Sequence, residues 1–439
     1  MNAPRTLMLL AVLPLVGAIP ERCESGTEPT GAAFPVALAW GADGRLRVAL
    51  RDARSLTVVD PTDWAVKSRQ DLPFQPSTLT RSEDGRGWFV GGTQGEVAFV
   101  PERGEPAMIR QATGRGPTRA LPLGADRLAV ASRWDDQLRI LDLSSRRERR
   151  AIPLGFPPGS MVREPGGGLI VADAFGPRVA RVDHELGTLQ VVTIDGVNLR
   201  GLTIASEGRE LLLVHASQYQ ALPVTSANLD WGLILSSGLT SLRLSEFQEG
   251  EAAPKPPRLR LTLDGSKHGA ADPSALALSR DGSQVFVAVA GAHQVLRTRR
   301  AFSGPATLGE NQELDVRQVG QMPVDLAIDP SDRFLVTADA LSDTLTVLRV
   351  DDLSPVAVVP LTPRDAVRTA VQRGEGIFHD ARRSLDRWTS CASCHPEGHT
   401  NGLNFDTLGD GSYGAAKNTP SLLGVGQSPP YGWVGNFAT

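Results

Sequence analysis

The chain is poor in cysteine and in long apolar runs, and it has no excess of positive charge. Its 439 residues include only three cysteines, Cys23, Cys391 and Cys394, so any pair leaves one over. The net charge of −4 and the pI of about 6.0 exclude the basic footprint of a nucleic-acid-binding protein. After residue 18 no apolar stretch is long enough to span a bilayer, so we expect no membrane span. Glycine (45) and proline (32) are plentiful, which favours a turn-rich β protein.

Residues 1–18 have the features of a secretory signal peptide. Arg5 supplies positive charge, a short apolar core follows, and Ala18 ends a small-residue cleavage site. We therefore expect export and a periplasmic or extracellular location. Cys23 follows Pro20-Glu21-Arg22, which is a poor lipobox, so we do not expect lipid anchoring at this cysteine.

The most informative stretch is Cys391-Ala392-Ser393-Cys394-His395. It reads C-x-x-C-H, the attachment motif of c-type haem. The spacing matters because two thiols add to the two vinyl groups of one porphyrin, and the adjacent histidine then binds the iron. We predict one covalently bound haem c, attached at Cys391 and Cys394, with His395 as the proximal iron ligand. Such haem is attached outside the cytoplasmic membrane, which agrees with a signal peptide.

Other interpretations of C-x-x-C are a disulfide, a zinc half-site and a redox pair. Zinc would need two more ligands, which His395 and His399 could supply only on a cramped loop. A thioredoxin-like site would need a helix after the motif, but Pro396, Gly398 and Gly402 indicate a loop. The histidine directly after the second cysteine, in an exported chain, favours haem.

Residues 34–361 repeat with a period near 40 residues. The seven units open at Pro35, Pro76, Pro117, Pro158, Leu199, Pro273 and Pro323. The first five openings are each 41 residues apart, and each unit adds a Gly- or Asp-containing turn and further strand patterns. This period is typical of β-propeller blades, whereas an immunoglobulin-like array would need longer repeats. We predict a mainly β fold: a seven-bladed β-propeller followed by a small α-helical and loop haem module at residues 362–439.

Two blades depart from the period. Leu199 and Pro273 are 74 residues apart, which predicts an insertion in blade five at about residues 218–257. It is either a long hairpin on one face or a cover that touches the haem module. Blade six is longer through Ser303–Gln312, which we interpret as a surface loop. After the propeller, Thr362 and the proline that follows it predict a short helix that ends at Gly374.

Three pieces of residues 374–439 carry a family resemblance. They are Gly376–Ser384, the C-x-x-C-H motif within Ser390–Pro396, and Asn418–Leu422. Together they resemble the di-haem cytochrome c peroxidase/MauG family, and the repeats resemble YVTN/NHL-type propellers of exported bacterial proteins. The haem-family resemblance implies a role in haem binding for several residues at the haem edge, which are Asn418, Thr419, Pro420 and Ser421. It also implies that Asp380, Arg382 and Ser384 order the loop beside the ring, and that Trp433 lies in the distal segment.

The chain also departs from that family. Val434 and Asn436 replace the family's Asp and Arg, and no second C-x-x-C-H is present. The sequence stops at Thr439, 44 residues after His395. We interpret the haem module either as truncated or as a one-haem derivative, and the ending favours truncation.

The sixth iron ligand decides the function. No methionine follows Met322, so His/Met ligation is not expected. His399 is tied to the motif's own loop, which leaves His379 and Trp433 as the distal-side candidates. Our first prediction is an exported haem protein of peroxidase type, supplied with electrons by a small periplasmic donor protein. The alternatives are an electron-transfer module without catalysis, and a binding scaffold whose propeller recognises a ligand that the sequence does not identify.

Overall fold

The computed structural model describes residues 31–110, 114–116, 118–183, 185–205, 208–218, 222–247, 259–265, 268–300, 314–363, 366–408, 410–432 and 435. The predicted signal peptide, Cys23, the loop Ser303–Gln312 and Trp433 lie outside the described residues. Parts of the predicted blade-five insertion also lie outside them.

Seven four-stranded sheets make up most of the described chain. Each sheet consists of four consecutive strands in antiparallel order, so each is one blade of a propeller. The strands of blades one to four are β1–β16: Pro35–Trp40, Leu46–Leu50, Ser55–Asp60, Ala65–Asp71; Pro76–Arg81, Gly87–Gly92, Val97–Pro101, Ala107–Arg110; Thr118–Pro122, Arg127–Ser132, Gln137–Asp142, Glu148–Pro153; Pro158–Arg163, Leu169–Asp173, Arg178–Val182, Leu189–Thr193. The strands of blades five to seven are β17–β28: Val197–Ala205, Glu210–Ser217, Ser236–Arg243, Leu259–Thr262; Pro273–Leu278, Gln284–Val289, Gln294–Arg299, Asp315–Gln318; Pro323–Ile328, Phe334–Asp339, Thr344–Arg349, Pro355–Pro360.

The predicted blade openings agree with this arrangement. Five innermost strands begin at the proline that opens the repeat, a position where the missing N–H costs no ladder hydrogen bond. The turn between the first two strands of blade one needs Gly44, which has φ +73°. The predicted seven-bladed propeller is confirmed.

The second strand of each blade is buried because it packs against both neighbouring blades. All five residues of β2 are buried, for example. Seven apolar clusters fill the ring, one between each pair of adjacent blades. Burial of one large aliphatic side chain in such a cluster contributes about 1.5–3 kcal/mol, so the interfaces between blades dominate the stability.

The ring closes between blades one and seven without a shared sheet. Innermost strands β1 and β25 are in contact. The carboxylate of Asp343 accepts hydrogen bonds from the backbone N–H groups of Ala33 (3.0 Å) and Phe34 (2.8 Å). Asp325 accepts another from the N–H of Leu38 at 2.8 Å. Two carboxylates and one apolar cluster therefore join the first blade to the last.

The C-terminal segment, residues 366–432, is mostly loop. Its regular elements are helices α2 (Ala370–Phe378) and α3 (Cys391–Cys394), several three-residue 3-10 turns, and a two-stranded ribbon of β29 (Asn404–Phe405) and β30 (Lys417–Asn418). One further helix, α1 (Ser226–Asp230), lies in the blade-five insertion. The small helical content means that the predicted α-helical character of the module is not shown.

The predicted bounds of the helix after the propeller are wrong. The helix starts at Ala370 rather than near Thr362, and Gly374 lies within it instead of ending it. The side-chain hydroxyl of Thr369 accepts from the N–H of Gln372 (3.2 Å), and the Gln372 side chain accepts from the N–H of Thr369 (2.9 Å). This reciprocal capping box sets the start, since it satisfies two N–H groups that have no partner inside the helix.

The blade-five insertion contacts the C-terminal segment. The N–H of Val224 donates to the carbonyl of Asp406 at 2.7 Å, and the Gln218 side chain donates to the carbonyl of Asn404 at 2.8 Å. Leu235 of the insertion shares an apolar cluster with Phe405. The described part of the insertion therefore touches the C-terminal segment, and its role as a cover for a haem stays a prediction.

Candidate haem-attachment site

The C-terminal segment lies on the face of the ring where the innermost strands begin. Arg51, in the turn between β2 and β3, binds both oxygens of Glu375 on α2 at 3.0 Å. Two blades away in the ring, His293 of blade six lies 3.3 Å from Asp380. The propeller therefore holds the segment from more than one blade.

Helix α3 carries both motif cysteines and is fixed by a single carboxylate of blade six. The hydroxyls of Ser390 and Ser393 donate to the two oxygens of Asp272, each at 2.5 Å. The carbonyl of Ser393 accepts from the side-chain amides of Asn198 and Asn401, both at 3.1 Å. The turn that presents the thiols is thus pinned to blades five and six.

The two thiols differ in exposure and are not joined to each other. Cys391 is exposed, and Cys394 is half-buried against the apolar cluster that contains Phe405. Burial, reinforced by the charge of Asp272, raises the pKa of the Cys394 thiol to about 12. A thiol that resists ionisation is a poor zinc ligand or redox nucleophile. Within the described ranges no group of three or more His, Cys, Asp or Glu could hold a metal ion.

His395 is oriented by a backbone carbonyl. Its Nδ1 lies 2.9 Å from the carbonyl oxygen of Pro420. A carbonyl only accepts, so this contact places the proton on Nδ1 and leaves the lone pair on Nε2. A hydrogen bond from the other ring nitrogen is what commonly orients a metal-binding histidine.

The stretch Asn418–Ser421 lies beside the motif, as the sequence suggested. Thr419 is buried, and its hydroxyl and N–H both donate to the carbonyl of Leu403 at 3.0 Å. Ser421 lies 2.8 Å from Nδ1 of His399. The structure brings these residues next to His395; their contact with a haem edge stays a prediction.

His399 is held in place by the propeller. Its ring packs edge-on against Trp134 and Phe175, with centroid distances of 5.4 Å and 4.9 Å. Those two rings, from blades three and four, stack on each other at 5.3 Å. With Ser421 on its Nδ1, His399 serves to dock the loop, which agrees with our not choosing it as the sixth ligand.

His379 is the described distal-side candidate. It ends helix α2, and its ring lies edge-on to Phe378 at 5.2 Å. Burial lowers its pKa, although the charges of Asp272 and Glu375 act in the other direction. A neutral imidazole is the form that binds metals, so His379 keeps the chemistry of a candidate ligand.

Asp380, Arg382 and Ser384 order the loop that leads to the motif. The Asp380 carboxylate caps a 3-10 turn at the N–H of Arg382 (3.0 Å) and pairs with its guanidinium at 2.8 Å. The Ser384 hydroxyl donates to the carbonyl of Ala381 at 2.9 Å and accepts from the N–H of Thr389 at 3.2 Å. Their expected loop-ordering role is therefore seen in the structure.

Glu397, two residues after the motif histidine, reaches the mouth of the central channel. It forms ion pairs with Arg133 and Arg200, the latter at 3.0 Å. Burial alone would raise its pKa, but the two arginine charges outweigh burial and lower the pKa to about 2. The Glu397 side chain keeps a third of its surface accessible.

Sequence reasoning missed every propeller residue that holds the motif. Asp272, Asn198, Arg133 and Trp134 belong to blade ends that look like ordinary turns. The available signal was charge: arginines and an aspartate occupy blade positions where other repeats have small or apolar residues.

The motif residues fit a covalently attached c-type haem. The Cys391 thiol is accessible, the Cys394 thiol is not committed to a disulfide, and Nε2 of His395 is left to bind iron. The apolar side chain of Leu423 is 55% exposed and lies close to Gly398 in the motif's loop.

Comparison with known proteins supports the propeller. Residues 239–356 match the family model described as "Lactonase, 7-bladed beta-propeller". A 62-residue segment, 14% of this chain, is 47% identical to hydrazine synthase subunit gamma of Kuenenia stuttgartiensis. That segment spans only 17% of the relative's length.

Solved structures with the same fold were also found. A chain of the Kuenenia stuttgartiensis hydrazine synthase superposes with a TM-score of 0.63 and 19% identity, covering 76% of this chain and 100% of that one. A streptogramin B lyase gives 0.53 and 12% identity, covering 72% and 92%. A protein of unknown function from Desulfotomaculum acetoxidans gives 0.50 and 12% identity, covering 71% and 94%. At these identities the likeness concerns the fold.

Proposed function

We propose that the propeller is a rigid scaffold that holds one c-type haem on one face for electron transfer within a larger assembly. The observation that carries this proposal is the docking of the motif. Asp272 fixes α3 by two hydrogen bonds, and Pro420 orients His395. The similarity to a protein named as a hydrazine synthase subunit, and to a chain of that enzyme, supports a role as one part of a complex.

In this proposal Cys391 and Cys394 hold the haem and His395 binds its iron. The haem supplies one-electron redox chemistry when bound. The propeller restricts where that redox centre can move, because the motif is fixed to one face of a ring whose seven blades pack against one another. We propose a periplasmic or extracellular setting and a small electron-donor protein as partner.

A second candidate function is peroxide reduction. Trp134, Phe175 and Ser421 hold His399 against the propeller, so in this proposal His399 is not the sixth iron ligand and that position can stay open. No methionine follows Met322 in the sequence. An open sixth position would admit peroxide, whereas ligation by His379 would block it.

The test begins with full-length protein co-expressed with a c-type haem maturation system. We expect one covalent haem per chain that survives acid–acetone extraction, and its loss in Cys394→Ala. His395→Ala should abolish the native spectrum, while His399→Ala, which removes a docking contact but no iron ligand, should leave it nearly unchanged. Wild-type protein without covalent haem would overturn the proposal.

The ferric spectrum then separates the two functions. Low-spin iron that binds cyanide slowly and is inert to peroxide supports electron transfer, and His379→Ala should convert it to high spin. High-spin iron that binds cyanide and turns over peroxide supports the peroxidase instead.

A further inference from the structure

Five charged groups meet at the axis of the ring beneath the motif. Arg119, Arg200 and Asp325 lie on the innermost strands of blades three, five and seven. Arg133 follows the second strand of blade three, and Glu397 enters from the C-terminal segment. Blades three, five and seven are not neighbours in the ring, yet Arg133 of blade three and Arg200 of blade five both form ion pairs with Glu397. These groups therefore face one another across the central channel.

The positive charge in this channel is only partly matched. Glu397 is engaged by Arg133 and Arg200, and Asp325 accepts from the backbone N–H groups of Leu38 (2.8 Å) and Leu326 (2.9 Å). For the Arg119 guanidinium, the described part of the chain provides no hydrogen bond. Three arginines thus face two carboxylates. Glu397 pairs with two of the arginines, and Asp325 is hydrogen-bonded to backbone N–H groups.

Two of the arginine side chains are buried without a full set of hydrogen-bond partners, which is unfavourable for a charged group. Arg133 is 4% exposed, and its Nε is buried without a hydrogen-bond partner among the described residues. Burial, together with the like charge of Arg133, lowers the pKa of Arg119. Burial of an unpaired charge is unfavourable, and water can hydrate a guanidinium but cannot neutralise it.

We propose that the central channel beneath Glu397 binds a small oxyanion or carboxylate, with Arg119 as its main ligand and Arg133 and Arg200 alongside. A guanidinium presents two parallel N–H groups that match the two oxygens of such a group. A free anion and a propionate of an attached haem can each supply this chemistry.

The experiment uses full-length protein in phosphate-free buffer, at constant ionic strength set with chloride. Nitrate and formate are the probes, and thermal unfolding and calorimetric titration are the measurements. We expect a saturable rise in Tm for wild type, because a ligand that binds only the folded state stabilises it. Arg119→Gln should weaken the apparent affinity by about tenfold, the loss expected for one charge-assisted contact.

Arg103→Gln is the matched control, since Arg103 is an exposed arginine on the outside of blade two, and it should behave as wild type. If Arg119→Gln does not fold, Arg119→Lys is tested in its place. We then expect that this variant, unlike wild type, does not bind nitrate more tightly than chloride. Equal binding by wild type and the Arg119 variant would overturn the proposal.

Two forms of the protein identify the source of the anion. Binding by both the haem-loaded protein and the haem-free Cys391→Ala/Cys394→Ala variant supports a free anion. Binding by the haem-free variant alone supports a haem propionate as the resident group. Absence of binding in both forms overturns the proposal. The haem-free variant tests anion binding independently of whether the wild-type protein attaches haem.

Discussion

Glu397 and Asp339 are carboxylates in crowded surroundings with opposite pKa shifts. Two arginines lower the pKa of Glu397 to about 2 against the effect of burial. Asp339 accepts from the uncharged hydroxyls of Thr337 (2.7 Å) and Thr346 (2.6 Å), so burial prevails and raises its pKa to about 6. Neighbouring charge, more than burial alone, decides which of the two stays ionised.

Asp339→Asn should remove part of the pH dependence of stability. The folded state favours the protonated carboxyl, so the stabilisation is complete below pH 3.8 and is lost as the pH rises through about 6. A shift of this size corresponds to about 2–3 kcal/mol. The free energy of unfolding, measured with denaturant from pH 4 to pH 7.5, should fall less steeply in the variant.

Asp351→Asn, at an exposed carboxylate in the turn before β28, is the matched control and should follow wild type. Asp325, whose pKa burial also raises to about 6, contributes equally in all three proteins. Parallel curves for wild type and Asp339→Asn would contradict this assignment.

Glu397→Gln should loosen the motif from the channel. The change leaves Arg133, with its side chain 5% exposed, without its ion pair. Loss of a hydrogen-bonded charge at a partly buried site costs about 1–3 kcal/mol. We expect faster hydrogen exchange and proteolysis within residues 391–403. Glu83→Gln is the control, since Glu83 pairs with Arg163 on the surface and such pairs contribute about 0–1 kcal/mol.

At the scale of elements, the C-terminal segment depends on close backbone approaches to the propeller. The N–H of Gly269, just before β21, donates a hydrogen bond to the carbonyl of Asp386 at 2.8 Å. A Cβ at this position would lie 2.5 Å from the Cα of Trp388. Only glycine lets the two backbones meet there, because an added methyl would contact main chain that cannot rotate away.

Gly269→Ala should therefore push Trp388 and the following motif off blade six. We expect reduced haem attachment and greater exposure of the segment by hydrogen exchange. Gly374→Ala is the opposite case: it lies within helix α2 with open space around its Cβ position. That change should strengthen α2 by about 0.5–1 kcal/mol. An unchanged exchange pattern in Gly269→Ala would argue against a tight approach.

At the scale of the molecule, the ring is stabilised by interfaces between consecutive blades. Each of the seven clusters draws on two adjacent blades, so the last interface forms only when blade seven meets blade one. The C-terminal segment adds one more cluster, around Ile234, Leu235 and Phe405. No helix among the described ranges is long and apolar enough to cross a membrane.

Residues 31–361 expressed alone should form a folded, monomeric propeller. All seven clusters between blades lie inside this fragment, whereas the cluster around Ile234 and Leu235 loses Phe405, so its Tm should be lower than that of the full chain. Residues 31–318, which lack blade seven, cannot close the ring and should aggregate. A soluble, cooperatively unfolding 31–318 fragment, measured by calorimetry and gel filtration, would contradict closure as the basis of stability.

The repeat and the motif were readable from sequence because both are local. A 41-residue spacing and a C-x-x-C-H pentapeptide depend on residues close together in the chain, as do the turn at Asp43-Gly44 and the strand starts at Pro35 and Pro76. The helix after the propeller was misplaced because two local start signals competed, and the contacts of Glu375 and Gln372 with blade one favour the second.

What surrounds the motif was decided by tertiary structure alone. Asp272 is 118 residues from Ser390, and Asn198 is 195 residues from Ser393, yet both hold α3. Their convergence follows from closure of the ring, which brings the ends of distant blades to one face and one axis. Local sequence determines which side chains each blade carries; only the closed ring determines which of them meet.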